Sequence, residues 1–219
     1  MSEDNADKAL LEKFEKEVLS QVPHREEKDG KVQIVNATPL IDLTDDLKEC
    51  AKTVYDVDIN DKDFKIYGKF DDTLLTGSIK VRPAINIIHD AIVTGKIKTG
   101  TTVIEATSGN FGIALGLLSK IGVTAIALVS RKLQEGVFKE LRNGNIRIMD
   151  LDMDICPAPG MEDKQDALVA KATAANIRSQ LIELGFEPET FDTNIADIET
   201  LLAKKDIINL AKFLAKIYN

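Results

Sequence analysis

The stretch from residue 101 to residue 152 constrains this chain most. "TTVIEA" (101–106) reads as a strand and "FGIALGLLSKIG" (111–122) as a helix. "VTAIALVS" (123–130) is a strand, "LQEGVFKELRNG" (133–144) a helix, and "NIRIMDLD" (145–152) a strand. Strands alternating with helices, with glycine at the joints, predict an α/β fold built on a parallel sheet. The uncharged run 123–130 is expected to be buried on both faces. The alternation extends upstream, with "FKIYGKF" (64–70) as a strand and "VRPAINIIHDAIVTG" (81–95) as a helix closed by Gly95.

The flanks differ. Residues 4–20 read as a helix with Leu10, Leu11, Phe14, Val18 and Leu19 on one side. Residues 21–31, "QVPHREEKDGK", read as a polar loop, and "VQIV" as a short strand ended by "NATPL". A helix follows from about Asp45, with Thr44 as its N-cap. After "CPAPG" (156–160) the pattern is helical: one long helix over 162–184 ended by Gly185, then more helix to Asn219. The expected organisation is an N-terminal helix and loop (1–35), an α/β domain (36–155) and a helical segment (156–219) that begins an incomplete second domain.

Net charge is −8, which argues against general nucleic-acid binding. No apolar run is long enough to span a membrane. The acidic, amphipathic N-terminus does not read as a targeting peptide. Cys50 and Cys156 form no C-x-x-C and are expected to be free thiols in a reducing cytoplasm.

Two stretches carry chemistry. "IEATSGNFGIALG" (104–116) joins a strand to a helix through Thr107, Ser108, Gly109 and Asn110. Ligands in open α/β sheets sit at such strand ends, and hydroxyls with first-turn N–H groups favour a small anion. The stretch has no P-loop lysine and no G-x-G-x-x-G, so a carboxylate suits it as well as a phosphate. Ordinary helix capping uses the same residues. The second stretch is "TGSIKVRPA" (76–84). Pro83 is tolerated only in a helix's first turn, which places Lys80 at the helix start. There the helix dipole disfavours an ammonium, and Arg82 adds to the effect. An amine so placed suits imine chemistry, although a lone lysine is more often simply solvated.

Taken together, "TGSIK" and, thirty residues later, "TSGN" resemble the fold-type-II pyridoxal-phosphate enzymes of the cysteine synthase and cystathionine β-synthase family. Lys69 precedes Lys80 by the family's eleven residues. "ATPLIDL" (37–43) is similar to the family's entry segment. "GMEDKQDALVAKA" (160–172) is similar to one of its helices. The resemblance covers about residues 36–175 and implies the family's small domain, a three-layer parallel sheet with flanking helices. It implies that Lys80 forms the Schiff base with pyridoxal 5'-phosphate and later takes the substrate's α-proton. It implies that Asn110 bonds the cofactor's ring hydroxyl, and that Thr107, Ser108, Gly109 and Phe111 cradle the carboxylate of a small amino-acid substrate. The reaction implied is β-elimination or β-replacement on an O-activated serine, with a thiol or sulfide adding.

The chain departs from the family pattern at several points. Leu74 and Leu75 stand where the family has Asn-Pro, Val81 where it has Asp, and Phe111 where it has Thr. The glycine-rich phosphate loop has no counterpart after Gly144. The alternatives are therefore a truncated, non-catalytic homologue, or one subunit whose phosphate site comes from a homodimer mate or a complementary chain. A third is an unrelated small-anion module. Asp150, Asp152 and Asp154 alternate on one strand face and could ligate Mg²⁺ or Ca²⁺, but a solvated edge is the simpler expectation. His24 and His89 are isolated, and His89 is expected at the surface.

Overall fold

The computed structural model describes residues 3–107, 109–130, 133–151 and 167–219. Its centre is β6, Thr124–Ser130, flanked in parallel by β5 (Thr102–Ala106) and β7 (Arg147–Leu151) in the order β5-β6-β7. Six of the seven residues of β6 are buried, as expected for a strand covered on both faces. Side chains alternate across it. Ala125, Ala127 and Val129 join one core, with Phe14 and Val18 near the N-terminus and Val81 and Ile88 of α3 (Val81–Val93). Ile126 and Leu128 join the other, with Met149, Leu151 and the C-terminal helices.

Four helices build that second layer: α7 (Ala167–Glu183), α8 (Pro188–Thr193), α9 (Ile195–Ala203) and α10 (Ile207–Ile217). Ala174, Ile177, Phe191, Ile198 and Leu210 are buried against the sheet's large aliphatic side chains. The first layer holds α1 (Glu3–Glu17), α3, α4 (Asn110–Leu115), α5 (Leu117–Ile121) and α6 (Glu135–Asn143). The three-layer α/β arrangement with a parallel sheet is the one the alternation predicts.

Both outer sheet edges are met by side-chain amides. The Thr102 N–H donates to Asn219 Oδ1 (2.7 Å), and Asn219 Nδ2 donates to the Thr102 carbonyl (2.8 Å). Gln180 does the same on β7, accepting from the Asp150 N–H (2.8 Å) and donating to its carbonyl (2.9 Å). Such pairing blunts an edge that would otherwise recruit another strand.

The N-terminal third differs from its sequence reading. Residues 21–31 are not all loop: β1 (His24–Lys28) pairs antiparallel with β2 (Lys31–Val35). Asp29 and Gly30 both have positive φ, the geometry of a two-residue hairpin turn. The polar "HREEK" hid the strand because neither face of the hairpin needs to be apolar. The run 64–70 yields only β4 (Tyr67–Lys69), which pairs antiparallel with β3 (Leu40–Asp42) in a separate ribbon. Leu40 and Ile41 stay exposed there, so this ribbon cannot substitute for a strand of a covered parallel sheet. α2 (Thr44–Tyr55) starts on Thr44 itself. Its first N–H donates to Asp42 Oδ1 (3.0 Å), so Asp42 does the capping. The helix expected over 111–122 breaks at Gly116, where the Gly144 backbone packs so close that a Cβ would lie 3.2 Å from Gly144 Cα.

Among the described residues, no helix is long and apolar enough to cross a membrane. Cys50 is exposed and unpaired, while Cys156 lies outside the described residues.

Candidate active site

A cleft of about 540 Å³ opens at the C-terminal side of the parallel sheet. It is lined by Lys80, Gly109, Asn110 and Phe111, with Leu133, Gln134 and Val137 closing the far wall. Thus four of the residues singled out in the sequence meet at one place although two separate segments supply them.

Lys80 stands at the N-cap position of α3, and its side chain is exposed. Its backbone is fixed locally: its N–H donates to Ser78 Oγ (3.2 Å) and its carbonyl accepts from the Ala84 N–H (3.2 Å). Val81, fully buried, anchors the helix start in the core. Pro83 falls in the first turn, where its missing N–H costs nothing.

Gly109 and Asn110 are presented from β5. Gly109 holds φ +140, a conformation that side chains rarely adopt, and a Cβ there would lie 3.2 Å from Val137 Cγ1. Glycine is therefore required twice over, by the backbone and by the close approach of α6. Asn110 starts α4 with its side chain exposed to the cleft. Phe111 is half-buried and forms an apolar wall with Leu133 and Val137. Glu105, half-buried on β5, has its carboxyl pushed above the usual range by burial.

Thr107 does not line the cleft. It is buried beneath it, and its Oγ1 accepts from the N–H groups of Gly112 (2.9 Å) and Gly109 (3.3 Å). That side chain caps α4 from below. Gly112 makes room for it, since a Cβ there would lie 2.5 Å from Thr107 Cγ2. Ser108 lies outside the described residues. So do Asp152 and Asp154, and no cluster of three or more metal-ligating side chains occurs among the described residues. His89 is half-buried, its ring tilted against that of Phe14 with centroids 6.3 Å apart. His24 bonds Val22 and Glu26, which raise its pKa.

Leu133, Gln134 and Val137 were not singled out by the sequence. Their signal was present: they open the helix after the central strand, at the same sheet end as Gly109.

The chain matches the family model described as "Pyridoxal-phosphate dependent enzyme" over residues 48–194, more than half of its length. A cysteine synthase of Aquifex aeolicus is 38% identical over 96 residues, which are 44% of this chain and 27% of the relative. The N-(2-amino-2-carboxyethyl)-L-glutamate synthase of Ralstonia nicotianae is 33% identical over 112 residues, 51% of this chain and 30% of the relative. The crystal structure of O-acetylserine dependent cystathionine beta-synthase from Helicobacter pylori aligns at 28% identity with a TM-score of 0.43, over 54% of this chain and 38% of that one. The matched stretch thus spans less than a third of the length of the two curated relatives. The extent of the family match, over the segment that carries Lys80 and Asn110, means that this chain belongs to the pyridoxal-phosphate dependent enzymes.

Proposed function

We propose that this chain takes part in pyridoxal-phosphate-dependent β-elimination or β-replacement on a small amino acid, with an O-activated serine as the donor and a thiol or sulfide as the nucleophile. The observation that carries this reading is the meeting of Lys80 and Asn110, thirty residues apart, in one cleft with Gly109 between them and α6.

The donor set fits the reactive edge of the cofactor. Lys80 brings a primary amine suited to an aldehyde, Asn110 brings a carboxamide suited to a ring hydroxyl, and the bare Gly109 backbone lets a flat ring come close. When bound, the cofactor supplies an electron sink for the carbanion formed at the substrate's Cα. The chain's own residues do the rest. Lys80, fixed at the start of α3, holds the amine over the cleft and moves the α-proton. Asn110 orients the ring through its amide. The N–H groups of Asn110 and Phe111, at the start of α4, receive the substrate's carboxylate and turn its Cα–H bond toward Lys80. Thr107 supports them from below rather than touching the ligand, and Phe111, Leu133 and Val137 exclude water.

A second form of this reading has a complementary chain completing the site. It is favoured by the residues after Gly144, which hold Gly160 and Gly185 but no glycine-rich run of the kind that cradles a phosphate. The test is a titration of the purified chain with pyridoxal phosphate, followed by visible absorption. A new band lost in Lys80→Ala supports the reading. A band that appears only with a second polypeptide supports the two-chain form. No band under either condition overturns both.

A further inference from the structure

Lys80 is held by more than its own helix. Asp71 lies in a 3-10 turn, Asp71–Thr73, nine residues before it. One carboxylate oxygen, Asp71 Oδ1, accepts from Arg82 Nη2 (2.8 Å) and from Thr38 Oγ1 (3.0 Å). Arg82 Nη2 also donates to Thr38 Oγ1 (3.4 Å). Thr38 is only 6% exposed, and Lys69 Nζ donates to its carbonyl (2.6 Å). Three segments therefore close on one point: the Thr38–Pro39 entry to β3, more than thirty residues upstream, the 3-10 turn, and the first turn of α3. Arg82 is two residues from Lys80 on that turn.

We propose that Asp71 and Arg82 are positioning residues for Lys80, a half-buried ion pair that locks the start of α3 to the Thr38 segment and so fixes where the Lys80 amine stands over the cleft. The Asp71 side chain is 19% exposed and that of Arg82 38%, so water screens the pair less than an open surface bridge. The guanidinium beside it holds the Asp71 carboxyl below the usual carboxylate range. The Thr38 hydroxyl matters because it ties the pair to a third element, which converts an ion pair into a joint. In the segment between Phe70 and Ser78, Asp72, Thr73 and Gly77 are exposed, Leu74 is buried and Leu75 packs partly against the core. The functional side of this inference rests on Lys80 being the reactive amine.

Two readouts separate the joint from that reading. The first is amide hydrogen exchange of the full chain without cofactor, in Asp71→Asn, Arg82→Gln and Asp71→Glu. Asp71→Asn and Arg82→Gln should speed exchange in both 36–43 and 76–84 by roughly tenfold while β5–β7 stay protected. Asp71→Glu, which keeps the charge, should restore much of the protection. The second is borohydride trapping of pyridoxal phosphate, mapped by mass spectrometry and normalised to Lys212 on α10. Asp71→Asn should lower capture at Lys80 several-fold with Lys212 unchanged, and Asp71→Glu should recover it. A merely structural role would lower melting temperature without moving the Lys80-to-Lys212 ratio. Wild-type exchange rates in 76–84 of a folded Asp71→Asn chain would overturn the proposal. If Asp71→Asn does not fold, Thr38→Val, which removes one hydrogen bond, should give a smaller loosening of the same two segments, and no loosening overturns it. Unselective capture in the wild type sinks the functional reading, and exchange then decides the joint alone.

Discussion

The two walls of the cleft are held in opposite ways. Gly109 and Asn110 stand at the end of β5, in a sheet with helices on both faces and aliphatic side chains buried to within a few per cent. Lys80 is reached through the N-terminal ribbons, whose strands are short and whose Val32 and Ile34 are 68% and 63% exposed. Both regions have apolar strands, but in the first they are covered and in the second they are not. Burial of apolar area therefore fixes one wall, while the other combines the buried α3 residues Val81, Ala84 and Ile88 with polar contacts at Asp71, Arg82 and Thr38 that hold the turn before the helix.

Substitutions can break that contrast. Leu128→Ala, fully buried in β6, should cost about 2–5 kcal/mol by leaving a cavity under β5 and β7. Urea denaturation checks this, and a shift no larger than that of a ribbon variant would remove the contrast. Gly109→Ala combines a strained φ with a tight approach to Val137, and about 1–3 kcal/mol of destabilisation is expected. It should also weaken cofactor uptake more than its stability loss explains, as a titration at a temperature well below unfolding will show.

Glu105 gives a pH test on the rigid side. Its carboxyl titrates higher when folded than when unfolded, because burial disfavours the charge. The folded state thus binds the extra proton, and the corresponding stability is complete below the unfolded pKa and fades as pH rises through the folded value. Glu105→Gln should accordingly raise the melting temperature at pH 7 and leave it nearly unchanged at pH 4. An equal change at both pH values would mean that ionisation is not the cause. At the small end, Val32→Thr on the exposed hairpin should shift stability by no more than about 0.5 kcal/mol, which thermal melts can bound.

Where burial dictates structure, the sequence was legible. The strands at 101–106, 123–130 and 145–152 and the helices between them stand close to where their periodicity puts them, because each buries a face. The ribbons were not legible for the converse reason. "HREEK" pairs through its backbone around an Asp-Gly turn, and no apolar alternation announces it. At the site, the family resemblance of "TGSIK" and "TSGN" pointed to Lys80 and Asn110, and the two line one cleft. The inward turn of Thr107 was hidden, since a threonine at a strand end looks the same whether it caps the helix or meets a ligand. The far wall of Leu133, Gln134 and Val137 belongs to another segment, the start of the helix after the central strand, which opens at the same sheet end as Gly109.

The central claim is that Lys80 is the amine that meets pyridoxal phosphate in a cleft shared with Asn110. Its most direct test is borohydride reduction of the chain with a limiting amount of the cofactor, followed by peptide mass mapping. The account predicts label concentrated on Lys80, reduced by Asn110→Ala, and a total that falls sharply in Lys80→Arg with no compensating gain elsewhere. Label spread evenly over the exposed lysines, unchanged in total by Lys80→Arg, would contradict it.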